Sequence, residues 1–244
     1  MKIINRAKTI ATQQVPFIDT SNYLVSKISE IDTQLNETNF FSLFNLTRDT
    51  SKEELLSLYE KTGLTFTTDL KKLNNGNVST LFFAILPDCS NPHTDVLKQL
   101  DIAQKLVQLY SDNFYAVRSS SDILTAFYKR RIGSATHIVG GHSIGASFSE
   151  NLKEYYSLGI RSISIASELC TNNWAQSWKE ISTFGLSKQG EKIIAEMNKL
   201  GMIIDLSQCS TKTMTSVLSS SFAPVVITQS ALRYVSNIFN IDHP

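Results

Sequence analysis

Gly201–Ser210 reads GMIIDLSQCS, and this stretch decides the fold. Met202–Leu206 is a short apolar run holding one aspartate, opened by a glycine and closed by Ser207-Gln208. A run of this length between turn residues reads as a strand buried on both faces. Ser187–Leu200, just before it, carries apolar residues at helical spacing, begins on a serine and stops at Gly201, as a capped helix does. A helix followed by a buried strand is the repeating unit of a parallel sheet. In a (β/α) barrel the chemistry sits where such strands run out. Here that position holds Gln208, where a histidine or a carboxylate would be expected of an enzyme.

The same rhythm extends in both directions. Pro16–Asp19 (PFID), Val78–Leu86 (VSTLFFAIL), Thr136–Val139 (THIV), Arg161–Ala166 and Pro224–Thr228 (PVVIT) read as further strands. Asp95–Tyr110, Ser120–Arg130, Ser149–Leu158 and Ser210–Leu218 read as helices between them, and Gly159 ends one of them. Repeated strand–helix units imply an α/β protein with right-handed crossovers. The rhythm alone does not separate an α/β barrel from a doubly wound sheet. Ser29–Asp69 is the least regular region and reads as an excursion after the first strand. With no composition shift or repeat to divide it, the chain is expected to form one domain over residues 1–244.

Composition excludes several classes. The 244 residues carry a formal net charge of +1, and the longest basic run is Lys129–Arg131, so neither nucleic acid nor an anionic membrane surface is an expected partner. No apolar stretch approaches the length of a membrane span. The N-terminus is polar after Ile4 and lacks the apolar core of a signal peptide, which leaves a cytosolic chain or one whose signal was removed. The three cysteines, Cys89, Cys170 and Cys209, form no CxxC pair, so a structural zinc site is not expected. Sequons stand at Asn36, Asn45 and Asn77 and become candidate glycan sites if the chain is secreted.

A set of strings then occurs in order: PFIDTSNYLVSKI, TDLKKLNNGNVSTLFFAILPDC, HIVGGHSIG, YSLGIRSISIASELCTNNWAQSW, GLSKQGEKIIAEMNKLGMIIDLSQCS and APVVITQSA. Together they resemble the zinc-dependent membrane (renal) dipeptidase family, over nearly the whole chain. The resemblance implies a (β/α) TIM-type barrel, with six of the usual eight βα units present, and a family activity of dipeptide hydrolysis at a two-zinc centre. Such a centre needs imidazoles, and carboxylates to balance charge, around a shared activated water.

Carried over residue by residue, the ligand set is missing. The first-strand IDxHxD pattern becomes IDTSNY, so Ser21 stands at the histidine position and Tyr23 at the aspartate position. The bridging glutamate before GGHSI becomes Val139. The histidines that end the fifth and sixth strands become Gln208 and Gln229. A histidine that holds substrate in the family falls on Ser167 or Glu168, and a substrate-binding arginine falls on Phe239. Without a bridging carboxylate, two divalent ions about 3.5 Å apart repel by about 19 kcal/mol at an effective dielectric near 20. The expectation is therefore a pseudoenzyme without catalytic residues or metal, which serves as a binding or interaction module. Two rival expectations stand beside it: a metal-dependent dipeptidase with a rebuilt site, and a truncated product without selected function.

For the remaining polar residues the alternatives stay open. His142, in GGHSI, is expected to hydrogen-bond within the scaffold. Asp19 and Asp205 can satisfy backbone donors at strand ends, or join Glu168 in a new mononuclear site. Trp174 and Trp178 are expected to pack the loop after the fourth strand. The resemblance also implies a Cys89–Cys170 disulfide, which would place the chain in the secretory pathway or outside the cell. The resemblance further implies that the barrel is incomplete at the C-terminus, with open edges able to meet an unknown protein partner or a second copy.

Overall fold

Val78–Leu86 is apolar almost throughout, and a strand with that pattern is stable only when covered on both faces. In the computed structural model, which describes residues 15–32, 68–180 and 184–229, it forms β2 (Thr80–Ile85), with Leu81, Phe83, Ala84 and Ile85 fully buried. The chain gathers into two compact units: Met1–Ala84 with Gln99–Ser134, and Ile85–Lys98 with Ala135–Pro244.

In the first unit β1 (Ile18–Asn22) runs parallel to β2, with a register shift between Asp19 and Asn22. β3 (Phe114–Ala116) runs parallel to the first residues of β4 (Ile132–Val139), and the Gly133 N–H donates to the Ser79 carbonyl at 2.8 Å. Helices α1 (Leu24–Asp32), α2 (Leu70–Asn75) and α4 (Ser120–Tyr128), with the later turns of α3 (Pro92–Leu109), accompany these strands. Leu24, Val25, Leu81, Phe83, Leu106 and Phe114 form the centre of its core. The excursion expected from Ser29 begins instead as the last turn of α1, which runs to Asp32. β3 was not expected, because three residues lie below the length at which strand periodicity can be read.

In the second unit the rest of β4 pairs in parallel with β5 (Ile160–Ser164), and β5 with β6 (Ile203–Asp205). A 3₁₀ turn (Gly141–Ile144) follows β4, and α5 (Phe148–Leu158), α6 (Lys188–Leu200) and α7 (Thr211–Ser220) alternate with the strands. Gly159 (φ 106°) and Gly201 (φ 76°) end α5 and α6 in the left-handed conformation, as their sequence positions imply. Ser187 and Ser210 cap α6 and α7 by accepting the N–H of Gly190 and Thr213. PVVIT is a correction to the expected sixth strand. It makes one parallel bridge, Asp205 to Val226, and Pro224 and Ile227 are exposed. Pro224 has no N–H to give a ladder, which confines such a segment to brief pairing. No helix among the described residues is long and apolar enough to cross a membrane.

Candidate functional site

Alternate residues of a strand share a face. His137 and Val139 of β4, Ser162 and Ser164 of β5, and Asp205 of β6 therefore line one side of the second unit, near the strands' C-terminal ends. The polar ones form a closed network. His137 Nδ1 lies 2.9 Å from Ser162 Oγ, and Nε2 lies 3.3 Å from Ser164 Oγ and 3.7 Å from Asp205 Oδ2. Asp205 Oδ1 accepts the Ser207 N–H at 2.8 Å, the Ser207 hydroxyl at 2.6 Å and the Thr228 N–H at 3.3 Å. Asp205 Oδ2 accepts the Thr228 hydroxyl and, at 3.3 Å, the Ser164 hydroxyl. His137 is 1% exposed and Asp205 0%. Burial holds the His137 imidazole below its ordinary range, while Asp205 and Ser162 pull the other way. The sequence reading missed His137. Its signal was the alternation Ser162-Ile163-Ser164 in a strand expected to be buried, which requires a polar partner on one face.

The other singled-out residues are occupied in different ways. Val139 is 1% exposed and its side chain has no ligand atom. Gln208 sits at φ 65°, its side-chain oxygen accepting the Glu168 N–H at 2.9 Å and its backbone carbonyl the Trp178 N–H at 3.0 Å. The Gln229 N–H donates to Ser207 Oγ at 2.9 Å. Ser167 is buried and accepts the N–H groups of Leu169 and Cys170, while Glu168 is exposed and pairs with Lys179 at 3.1 Å. Ser21 and Tyr23 lie in the first unit. There the Asp19 carboxylate accepts the Ser21 N–H and the Asn22 amide, and Asn22 Oδ1 accepts the Leu24 N–H that opens α1. Asp19 and Asp205 thus satisfy donors at strand ends. Asn77 stands at φ 52° in the turn before β2. Asn36, Asn45 and Phe239 lie outside the described residues.

Comparisons with known proteins give the family and the fold. A profile of the membrane dipeptidase family (peptidase family M19) matches residues 4–241. The chain is also 33% identical over 199 residues to the uncharacterized dipeptidase C965.12 of Schizosaccharomyces pombe, covering 74% of this chain and 47% of that protein. It belongs to the membrane dipeptidase family. Dipeptidase verJ of Clonostachys rogersoniana is 32% identical over 193 residues, covering 72% of this chain and 48% of its own length. The chain thus spans about half the length of these curated relatives. Among solved structures, the probable dipeptidase PvdM of Pseudomonas aeruginosa superposes with a TM-score of 0.74 at 20% identity, over 96% of this chain and 56% of that one. A metallopeptidase of Rhodobacter sphaeroides bound to a phosphinate mimic of L-Ala-D-Ala gives 0.72 at 18% identity, over 88% and 65%. The parallel α/β fold is shared with both.

In this dipeptidase-family chain the GGHSI string is held by packing. A Cβ on Gly141 would meet the Ile165 carbonyl oxygen at 2.3 Å and Trp174 Cζ2 at 2.4 Å, and one on Gly190 would meet the Trp174 carbonyl at 2.6 Å. Trp174 is 2% exposed and donates its indole N–H to the Gly141 carbonyl. Both glycines exist to admit it. His142 Nε2 lies 3.3 Å from the Pro87 carbonyl, a hydrogen bond within the scaffold, and burial lowers the imidazole pKa. Cys89 and Cys170 form the disulfide, with Cα atoms 5.5 Å apart, and Cys209 is free and buried. A cavity of about 350 Å³ lies beside Cys89, lined in part by His142, Asn173, Trp174 and Gln189. Among the described residues no three His, Cys, Asp or Glu side chains gather as a metal-holding group.

Proposed function

We propose that this chain is a non-catalytic member of the membrane dipeptidase family, a pseudoenzyme that has lost the two-zinc centre and acts as a binding or interaction module. The carrying observation is the donor chemistry at the ligand positions implied by the family's motifs. Val139 offers no donor where a bridging carboxylate is needed, and the Gln208 side-chain oxygen is committed to the Glu168 N–H. Ser21, Tyr23 and Gln229 supply hydroxyls and an amide, which are poor zinc ligands at neutral pH. The nearby carboxylates do not substitute for them. Asp205 accepts donors on both oxygens inside a buried network, and Asp19 holds the end of β1. The residues present do not fit a two-zinc centre. A fold outlasts its chemistry because core packing and site residues are separable. The disulfide supports a secretory or extracellular location.

The test is zinc content by mass spectrometry after incubation with excess Zn²⁺ and desalting, alongside a dipeptide hydrolysis assay. The expected result is less than about a tenth of an equivalent of zinc and no hydrolysis, since a lost ligand set retains almost no metal. One or two equivalents, with hydrolysis abolished by a chelator, overturns the proposal.

A further inference from the structure

We propose that Cys89 is a thiol-exchange site: a small cationic thiol attacks its sulfur, leaves a mixed disulfide on Cys89 and releases Cys170 as a buried thiol. Exchange needs access to one sulfur of a disulfide, and the two differ sharply here. Cys89 lies in the exposed turn between β2 and α3, whereas Cys170 is 6% exposed. The cavity of about 350 Å³ borders Cys89 and gives the body of an incoming thiol a place to sit.

Charge selects the thiol. The cavity lining carries no Lys, Arg, Asp or Glu. Asp88, directly before Cys89, accepts the N–H groups of Asn91 and Ser90 and the Ser90 hydroxyl, which hold its carboxyl below the usual range. Asp95 stands in the same region and accepts the Asp88 N–H at 2.9 Å. His142 faces Asp88 and is held towards its neutral form by burial. The Asp88 carboxylate therefore places a negative charge next to Cys89 at neutral pH, which favours an aminothiol over a carboxylated one.

The step balances without an external oxidant. The thiolate forms a bond to Cys89 Sγ as the Cys89–Cys170 bond breaks, and the electron pair leaves on Cys170 Sγ, which takes a proton from water. The loop holding Cys170 does not depend on the disulfide alone. Ser167 Oγ accepts the Leu169 and Cys170 N–H groups, and Asn172 bonds to the Ile165 carbonyl and to the N–H groups of Trp174 and Ala175. Cys170 thus stays beside Cys89, able to reverse the reaction.

The experiment exposes the oxidised full chain to cysteamine or to 3-mercaptopropionate, quenches in acid, traps free thiols with N-ethylmaleimide under denaturing conditions and maps peptides by mass. The first adduct is expected on Cys89 with maleimide on Cys170. Each rate is divided by the same thiol's rate on a neutral small-molecule disulfide at equal thiolate concentration, which cancels the difference in intrinsic nucleophilicity. On that scale cysteamine should react about three- to tenfold faster, the effect of the two unit charges by which the thiols differ at about 8 Å in water. Asp88→Asn, whose Oδ1 can still accept the Ser90 and Asn91 N–H groups, should shrink that ratio, as should about 0.5 M NaCl on the unaltered protein. An adduct on Cys170, an unreacted disulfide, or a rate indifferent to thiol charge overturns the assignment. Exchange at Cys89 requires no zinc.

Discussion

Val139 and His137 are two residues apart on β4, and their side chains set opposite conditions on the same face. Val139 is apolar and 1% exposed, so Val139→Glu would bury a carboxylate among groups already committed to one another. Its expected cost is about 3 kcal/mol or more, read from urea denaturation, because a buried charge without a partner is not repaid. A cost under about 1 kcal/mol, or one recovered by zinc, would mean that a cation site persists there. His137 contributes through linkage. Burial holds its native pKa below the ordinary value of 6.5, so below about pH 6.5 the unfolded chain binds a proton that the native chain does not. Its contribution is therefore complete above pH 6.5 and is lost as pH falls towards the depressed native value. His142 acts in the same direction, also through burial, whereas Asp88 and Asp122, with pKa values below 3.8, are lost only in stronger acid. Denaturation midpoints at pH 7.5 and 5.5 should fall on acidification, and His137→Gln should remove part of that slope. An unchanged slope would show that His137 titrates alike in both states.

At the scale of elements, two glycines with different jobs give a paired prediction. Gly201 has φ 76° and open space where a Cβ would be, so Gly201→Ala costs only backbone strain, about 1 kcal/mol. Gly141 has no room, since the Cβ would strike the Ile165 backbone and a buried Trp174, and Gly141→Ala should cost about 3 kcal/mol. Thermal denaturation of both variants checks the order, and a reversed order would refute the packing account of GGHSI. The helix-ending glycines were legible because a cap residue announces itself locally. Most strands were legible because burial on both faces leaves an apolar run. PVVIT misled for the same reason: an apolar run states a wish to be covered, not which ladder covers it. β3 was too short to carry a period. The disulfide followed from the family resemblance and not from cysteine spacing. The pairing of His137 with Asp205 depends on the register of three strands brought together from distant sequence, which no local pattern encodes.

At the scale of the molecule, the sharpest consequence of the proposed loss of zinc is thermodynamic. A ligand that binds only the native state raises stability by RT ln(1 + [L]/Kd). A centre with a Kd of about 1 μM would therefore add about 2.7 kcal/mol at about 100 μM Zn²⁺. For a chain of 244 residues that gain is a shift of several degrees in Tm, well above the error of a melting curve. The groups described above are already engaged with one another, with Ser164, Ser207 and Thr228 donating to Asp205, and Ser21 and Asn22 donating to Asp19. Zinc would have to break those bonds to enter, and each buried group left unpaired would cost about 1–3 kcal/mol. The expected outcome is a Tm unchanged within about 1 °C by 100 μM Zn²⁺ or by a chelator, measured with the disulfide intact so that the free Cys209 of the unfolded chain is the only thiol available. A rise of several degrees with zinc, reversed by the chelator, would show that a native-state site exists despite the substituted positions, and would move the molecule from a binding scaffold back towards the chemistry of its relatives.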